Sequence, residues 1–393
     1  MKKPRLFIVS DYRDVTCEPG RDPSYWILKK LDKNDKFNVY STTNKVLDRS
    51  CFKNIDFLTL GYKGDIQIQK PRYNYSIYKA YKKVEEEVQM IHHCEKFQVS
   101  RGYNFIPILS KMNDKPFLIG PLELPHKVFE DDFLSDTKSF KRLSKKFGYH
   151  GISTLRHIFQ YLFKKTIEHA DKVIVPDTEV KNELIKYISP SKIELINYGV
   201  KLSTYQSYRY EADENNYNII YAGSTLERKG IKYLLEAIPS IEQEFPDVTL
   251  HLRTSGYKVE EYKKIIKEIG ISKNVIFHER LEKEKYLELL SKSRVLCLPT
   301  LSEGYGWTVL DALCLGVPVV TTTECRCNDL FENSNIGIRV TPGDSKVLAE
   351  AILKLFNDFE LCKKFSQNEL RKREKFDYAT VIPKYVELYE KYI

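Results

Sequence analysis

Residues 295–316, VLCLPTLSEGYGWTVLDALCLG, carry the pattern that best indicates how this chain folds. The apolar run 295–299 has the character of a buried strand, and residues 307–315 can form a short helix that ends at Gly316. A strand followed by a loop and a helix is the repeating unit of an α/β protein with a parallel sheet. In such a sheet the loop after the strand lies at the carboxyl edge, where ligands of these folds bind.

Two acidic residues stand eight positions apart in this segment. Glu303 lies on the predicted loop, and Asp311 lies inside the predicted helix among apolar neighbours. An ionised Asp311 there needs a hydrogen-bond partner, and a ribose diol is one candidate. Gly304 and Gly306 allow a ligand to approach the backbone, and the N–H groups at the helix start favour an anion such as a diphosphate. The residues alone leave a plainer interpretation open, in which Glu303 caps the helix and Asp311 pairs with a core arginine.

A second turn with similar properties follows the strand predicted at residues 217–223, YNIIYAG. The turn 223–230, GSTLERKG, has glycine at both ends and leads into an amphipathic helix. Arg228 and Lys229 place two cations near the start of that helix, which suits a diphosphate. A solvated turn with two surface cations is an equal interpretation of this stretch by itself. Its recurrence with the Glu303 loop at a second strand end of one predicted sheet favours a binding site.

The length and composition of the chain predict two globular domains. The sequence has 393 residues, of which 42% are hydrophobic, enough to bury two cores of ordinary size. Alternating strand-like and helical segments predict an α/β protein with a doubly wound sheet in each half. We place an N-terminal domain at 1–205, a polar linker at 206–216, a second domain at 217–376 and a C-terminal helix at 377–393.

The formal net charge of +9 is unevenly distributed, because residues 138–165 contain eight basic residues and no acid. This segment fits a patch for anionic lipid or an anionic acceptor, and it equally fits a helix whose apolar side faces the core. No nucleic-acid-binding motif accompanies the charge, so we do not expect nucleic acid as a partner. The sequence has no apolar run of membrane-spanning length and no signal-peptide core, which predicts a cytoplasmic protein with peripheral contact at the inner membrane face as one option.

Several motifs together give the chain a family resemblance from about Ala170 onward. It resembles the retaining family 4 glycosyltransferases, which are group 1 glycosyltransferases with the GT-B fold of two Rossmann-like domains facing across a cleft. The motifs occur in the family's order and are residues 170–175 (ADKVIV), 197–200 (NYGV), 223–230, 303–311 and 316–320 (GVPVV). The resemblance implies that the first domain binds the acceptor, that the second binds a nucleotide-sugar donor, and that the C-terminal helix packs back on the first domain.

The resemblance also assigns roles to individual residues. It implies that Glu303 contacts the donor sugar, that Lys229 holds the leaving diphosphate, and that Asp311, one methylene shorter than the family's Glu, binds the ribose hydroxyls. The nucleotide base would be held at Arg280 and Leu281, chiefly by backbone atoms. The remaining donor-binding candidates are Gly223, Ser224, Gly304, Tyr305, Gly306 and Trp307.

The sequence departs from the family at Ser224, where relatives have an arginine after the first glycine of the turn. Arg228 is expected to supply this charge and to act with Glu303 and Lys229 in catalysis. We expect no metal and no cofactor beyond the nucleotide-diphosphate sugar, because the sequence shows no Asp-x-Asp motif and no cluster with metal-ligand spacing.

Three functions are compatible with these motifs. The first is a retaining, hexosyltransferase-type glycosyltransferase that acts on a glycan or lipid-linked acceptor. The second is a GT-B sugar-nucleotide epimerase, which needs no acceptor, and the third is a non-catalytic homologue that binds nucleotide sugars.

Overall fold

A computed structural model of the chain describes residues 3–10, 22–43, 52–60, 70–94, 97–98, 115–123, 161, 163–211, 213–255, 258–279, 281–331 and 335–393. The chain divides into two compact units. The first comprises Met1–Val200 together with Tyr378–Ile393, and the second comprises Lys201–Asp377.

The first unit contains a parallel sheet of seven described strands in the order β3-β2-β1-β4-β6-β8-β9. Strands β5 and β7 form a separate, short parallel pair. The strands are β1 (Arg5–Ser10), β2 (Asn38–Thr43), β3 (Ile55–Thr59), β4 (Met90–Cys94), β5 (Phe97–Gln98), β6 (Phe117–Ile119), β7 (Leu122–Glu123), β8 (Lys172–Val175) and β9 (Ile193–Leu195). The helices include α1 (Pro23–Asp32), α2 (Lys70–Lys82) and α3 (Thr178–Leu184), and residues 163–169 are also helical.

Strand β1 in the middle of the first sheet is buried on both faces, which explains its continuous apolar run. In β1, Phe7 and Val9 belong to one core cluster, whereas Leu6 and Ile8 belong to the other. Successive side chains of a strand point to opposite faces, so a strand covered on both sides must be apolar at every position. The predicted doubly wound architecture is confirmed for this half of the chain.

The second unit contains a parallel sheet of six described strands in the order β12-β11-β10-β13-β14-β15. The strand order reverses between β10 and β13, because β11 and β12 extend the sheet on one side and β14 and β15 on the other. The strands are β10 (Asn218–Ser224), β11 (Thr249–Ser255), β12 (Val275–His278), β13 (Val295–Leu298), β14 (Val319–Thr322) and β15 (Gly337–Val340). The helices are α4 (Ile231–Glu244), α5 (Val259–Glu268), α6 (Lys283–Ser291), α7 (Trp307–Leu315), α8 (Asn328–Phe331), α9 (Ser345–Asn357) and α10 (Phe359–Lys372).

The strand-loop-helix predicted around Glu303 is present in this unit. Helix α7 has the predicted bounds and ends at Gly316, whose φ of +80° is a left-handed conformation that glycine adopts without strain. Helix α4 follows the turn 223–230, as predicted.

The described residues of the predicted linker 206–216 belong to the second unit. The Tyr210 hydroxyl donates to the carbonyl of Arg294 (3.2 Å), and the Arg294 guanidinium donates to the carbonyl of Asp213 (2.6 Å). Arg294 is fully buried. A buried guanidinium needs acceptors for its N–H groups, and a polar segment supplies one of them here through its backbone.

The C-terminal helix α11 (Tyr378–Glu390) belongs to the first unit. Its residues Val381, Tyr385, Leu388 and Tyr389 are buried in the core cluster that also contains Leu6 and Ile8. The Tyr389 hydroxyl lies 2.7 Å from Nδ1 of the buried His92 in β4. The return of this helix to the first domain is therefore confirmed.

Most of the basic segment 138–165 lies outside the described residues, which include only 161 and 163–165 of it. Across the part of the chain that the structure describes, no helix combines the length and the apolar character needed to span a bilayer.

Candidate functional site

A pocket of about 400 Å³ lies at the carboxyl edge of the second sheet. Its walls come from the ends of β10 and β11, the turn after β10, and the loop and helix after β13. Since the strand order reverses between β10 and β13, the pocket lies where doubly wound sheets bind their ligands. The lining residues are Ala222, Gly223, Ser224, Lys229, Arg253, Thr254, Glu303, Trp307 and Thr308.

The side chains of Lys229 and Glu303 form an ion pair in this pocket. Both are largely buried, with 12% and 15% of the side chain exposed. The Arg228 guanidinium lies 3.9 Å from the other oxygen of the Glu303 carboxylate and donates a 2.8 Å hydrogen bond to the carbonyl of Ser302. The backbone N–H of Gly304 also donates to the Glu303 carboxylate, at 3.0 Å. Two cations and one carboxylate therefore form a compact charged cluster.

Burial and, to a smaller extent, the neighbouring Arg228 cation lower the pKa of Lys229 to about 7. The Glu303 carboxylate in contact with the ammonium favours its charged form. An anionic ligand in the pocket would favour the charged form in the same way, so the charge on Lys229 depends on what occupies the pocket.

Hydrogen bonds tie the turn after β10 to the loop after β13. The carbonyl oxygen of Arg228 accepts from the Leu301 N–H (2.7 Å) and from the Thr300 hydroxyl (3.0 Å). Gly230 permits this approach, because a Cβ built on it would lie 1.8 Å from the carbonyl oxygen of Pro299. Its φ of +69° also suits glycine. The backbone thus brings Lys229 and Glu303 together from two separate strand ends.

The glycines of the Glu303 loop have different local roles. Gly306 has a φ of +70° and is the residue before helix α7, and a Cβ there would lie 3.0 Å from the Cys325 sulfur. Gly304 has open space on the side where a Cβ would stand. Trp307 and Thr308, the first two residues of α7, line the pocket, so the start of this helix lies at the pocket wall.

The structure places Asp311 away from the pocket lining. Asp311 is fully buried, and its two carboxylate oxygens accept hydrogen bonds from the hydroxyls of Tyr205 (2.6 Å) and Tyr286 (3.1 Å). A buried carboxylate needs hydrogen-bond donors, and here two tyrosine hydroxyls provide them. The ribose role implied by the family resemblance stays a prediction for this buried carboxylate.

The other predicted donor contacts lie in several places. Tyr305 is buried and is not part of the pocket lining. Its ring packs against Trp307, which does line the pocket, with 5.3 Å between the ring centroids. Leu281 is partly exposed and precedes helix α6, whereas Arg280 lies outside the described residues. Gly223, Ser224, Lys229, Glu303 and Trp307 line the pocket itself.

Three further polar residues line the pocket and were not identified from the sequence: Arg253, Thr254 and Thr308. Arg253 and Thr254 lie in the last three residues of β11, and the parallel register sets them beside Ala222 and Gly223 of β10. Thr254 is 5% exposed, and its hydroxyl has no hydrogen-bond partner among the described residues. The usable signal was the polar run Arg253-Thr254-Ser255 directly after an apolar strand predicted to neighbour the glycine turn. Within the described ranges, no three His, Cys, Asp or Glu side chains converge as a metal site would require.

Comparison with known proteins gives a family match for the second unit. Residues 206–372 match the family model described as glycosyl transferases group 1. The chain is similar to an MMP α-(1→4)-mannosyltransferase of Mycolicibacterium hassiacum, with 28% identity over 208 residues, which are 52% of this chain and 50% of that protein. The first curated relatives are matched over 47% to 62% of their own length.

Solved structures show the same fold along nearly the whole chain. A sucrose-phosphate synthase from Thermosynechococcus elongatus superimposes with a TM-score of 0.72 at 17% identity, covering 99% of both chains. HepE of Anabaena, solved in complex with UDP, superimposes with a TM-score of 0.67 at 16% identity, covering 99% of this chain and 100% of that one. Residues 206–372 therefore match the group 1 glycosyltransferases, and the two doubly wound units of the chain have the GT-B fold.

Proposed function

We propose that this protein is a metal-independent, retaining glycosyltransferase of family 4 that transfers a hexose from a nucleotide-diphosphate sugar to a glycan or lipid-linked acceptor. The observation that carries the proposal is the cluster of Lys229, Arg228 and Glu303 beside a pocket at the strand-order reversal of the second sheet. Cations suited to a diphosphate therefore lie within 4 Å of a carboxylate suited to a sugar, and Lys229 and Glu303 line the same pocket.

The charges of this cluster match those that develop during glycosyl transfer. As the bond between the anomeric carbon and the diphosphate oxygen breaks, positive charge grows on the sugar and negative charge on the leaving group. Lys229, Arg228 and the N–H groups at the start of α7 would stabilise the leaving diphosphate. Glu303 would orient the sugar and stabilise the positive charge near its anomeric carbon. These are electrostatic contributions from fixed groups, which is the form of catalysis this reaction needs most.

The stereochemical course follows from attack on the same face as departure. The acceptor hydroxyl oxygen bonds to the anomeric carbon while the diphosphate oxygen leaves with the bonding electrons. The leaving oxygen then takes the proton of the acceptor hydroxyl, so the products are the glycoside and the nucleoside diphosphate. No side chain has to act as a separate base.

The ion pair between Lys229 and Glu303 suggests how the donor enters. The Lys229 ammonium and the Glu303 carboxylate are in contact with each other. A diphosphate would draw the ammonium towards itself and release the carboxylate for the sugar. The names of similar proteins agree with this substrate class, since one is a mannosyltransferase and another was solved with UDP.

The experiment that tests the proposal incubates the protein with UDP-, GDP-, ADP- and dTDP-sugars, each with and without glycan and lipid-linked acceptors. Acceptor-dependent release of the nucleoside diphosphate supports transfer. Conversion of the donor without an acceptor would instead indicate an epimerase. Binding without either reaction would indicate a non-catalytic homologue.

Two further measurements examine the finer parts of the proposal. Retention is expected to appear in the NMR coupling constant of the anomeric proton in the product, which should match the configuration of the donor. Metal independence predicts full activity after dialysis against EDTA. An inverted product or an EDTA-sensitive rate would contradict the respective part.

We also propose that the first domain binds the acceptor and that the basic segment 138–165 contributes to binding an anionic lipid surface. Vesicles with and without anionic lipid, separated by flotation, test this. Salt-sensitive binding to anionic vesicles alone supports it, and equal recovery with both kinds of vesicle contradicts it.

A further inference from the structure

Arg253 is a cation of the pocket that the sequence motifs do not include. Arg253 lies near the end of β11, the strand next to β10. The register places it beside Ala222, which is two residues before Ser224 in β10. Its side chain is partly exposed and lines the pocket together with Ser224 and Lys229. Within the described ranges, no carboxylate forms a salt bridge with it. Arg253 is therefore placed to meet a ligand that enters between the two strand ends.

The other two cations of the site already have partners. Lys229 is paired with Glu303, and Arg228 lies 3.9 Å from the same carboxylate while donating to the carbonyl of Ser302. A diphosphate carries more than one negative charge, and Glu303 adds another. A third cation would therefore help to balance the negative charge in the site when the diphosphate is bound. The Thr254 hydroxyl, buried and without a partner among the described residues, adds a donor beside Arg253.

A buried network holds Arg253 in position. Its guanidinium carbon lies 4.7 Å from the centre of the Tyr286 ring. The Tyr286 hydroxyl donates to Asp311 (3.1 Å), whose second oxygen accepts from Tyr205 (2.6 Å). Tyr286 is 4% exposed, and Asp311 and Tyr205 are more deeply buried still. A cation over the face of an aromatic ring is attracted to it, and a ring whose hydroxyl is fixed cannot tilt away.

We propose that Arg253 binds the leaving diphosphate together with Arg228 and so supplies part of the charge of the arginine absent at Ser224, and that Asp311 is a positioning residue that acts on Arg253 through Tyr286. The inference rests on the proposed function, because it concerns the diphosphate of the donor. It gives Asp311 a role in diphosphate binding without any contact between its carboxylate and the ligand. It also explains how the site tolerates serine at position 224, since the neighbouring strand supplies the charge.

Calorimetry with nucleoside diphosphates and the matching free nucleosides tests the role of Arg253. The nucleoside diphosphate that binds the wild-type protein most tightly is chosen from UDP, GDP, ADP and dTDP. Arg253→Ala is expected to weaken its binding about ten- to a hundredfold, the loss expected for hydrogen bonds to a charged group. Binding of the free nucleoside should change less than about threefold, because the nucleoside lacks the group that Arg253 contacts. Arg371→Ala, which removes an exposed arginine of α10 in the same unit, should leave both affinities unchanged.

An arginine introduced at position 224, where relatives have one, tests whether Arg253 supplies the charge that is missing there. The double variant Arg253→Ala with Ser224→Arg should recover most of the lost diphosphate affinity. Tyr286→Phe and Asp311→Asn keep the ring or the side-chain shape but disturb the hydrogen bond between them. Both are expected to weaken diphosphate binding about three- to tenfold and to leave nucleoside binding unchanged. If Arg253→Ala does not fold, as judged by circular dichroism, Arg253→Gln takes its place.

The outcomes separate this inference from the proposed function. If Arg253→Ala binds the diphosphate as the wild type does while Lys229→Ala does not, the inference is wrong and the proposed function stands. Equal losses for diphosphate and nucleoside would assign Arg253 to the base or ribose and overturn the inference. If the wild-type protein binds none of the four nucleoside diphosphates, both proposals fail together.

Discussion

The Lys229 ammonium and the Glu303 carboxylate are in contact inside the pocket, although the two residues are 74 positions apart in the chain. Each follows a different strand of the second sheet, and the Arg228 carbonyl links the two loops by hydrogen bonds. The pair is partly shielded from water, so its charges interact more strongly than those of a surface ion pair. Changes to either residue are therefore expected to affect binding and transfer in different ways.

Glu303→Gln should separate sugar handling from diphosphate binding. The amide keeps the shape of the side chain but removes the charge, so transfer should fall about a hundred- to a thousandfold, the usual cost of losing one electrostatic contact in a transition state. Affinity for the nucleoside diphosphate should be unchanged or higher, because Lys229 loses its competing partner. Steady-state rates and calorimetry measure the two effects. Glu324→Gln, which changes an acid outside the pocket lining, is the control. Intact transfer in Glu303→Gln would show that the catalytic assignment is wrong.

Binding of the nucleoside diphosphate should weaken as pH rises above about 7. Burial lowers the pKa of Lys229 to about 7, so above that pH an increasing share of the free protein has a neutral amine. The bound anion favours the ammonium, and binding then requires proton uptake, which lowers the affinity by at most about tenfold per pH unit. Calorimetry between pH 7 and 9 measures this slope. Lys229→Arg keeps its charge throughout and should abolish the slope. A slope that persists in Lys229→Arg would assign it to another group.

Gly230→Ala should destabilise the second unit much more than Gly270→Ala. Both glycines have positive φ, so alanine costs about 1–2 kcal/mol of conformational strain at either position. At Gly270 the added Cβ meets nothing within 4 Å, whereas at Gly230 it would lie 1.8 Å from the carbonyl oxygen of Pro299. The additional loss of unfolding free energy in Gly230→Ala therefore reports the close approach of the turn after β10 to the loop after β13. Urea unfolding, followed by Trp307 fluorescence in a Trp26→Phe background, gives both values. Equal costs would contradict this account.

His92 should make the first unit less stable in acid. Its Nε2 lies 3.1 Å from the carbonyl oxygen of Gly120, an acceptor, so Nε2 carries the proton and Nδ1 accepts from the Tyr389 hydroxyl. Burial lowers the pKa of His92 to about 3. Below about pH 6.5 the unfolded chain binds a proton at this residue that the folded protein does not, so stability falls as pH decreases, by up to about 1.4 kcal/mol per pH unit.

The measurement for His92 compares urea unfolding of the wild type and of His92→Gln between pH 4 and 8. Trp26, whose ring stacks on Tyr378 of helix α11 at 4.7 Å, reports on this unit in a Trp307→Phe background. The glutamine variant should lose stability overall and also lose the part of the acid dependence that His92 contributes. An unchanged pH dependence would show that His92 does not titrate in this way.

The amino-acid sequence by itself determined the local elements and the family. Short apolar runs such as Val295–Leu298 form buried strands because both of their faces must be covered, and Gly316 ends a helix because it adopts a positive φ. The motif residues Lys229 and Glu303 were found because their spacing relative to strands and glycines is a local property. These features depend on neighbours within about one strand or one helical turn, so no knowledge of the fold was needed.

Only the tertiary structure decided which distant residues meet. Asp311 bonds to Tyr205 and Tyr286 rather than facing the pocket, and Arg253 lines the pocket because β11 is the neighbour of β10. Helix α11 lies in the first unit although it follows the second in the chain. The physical reason is that strand order and register set these contacts across tens of residues or more, and buried polar groups take whichever partners that packing provides.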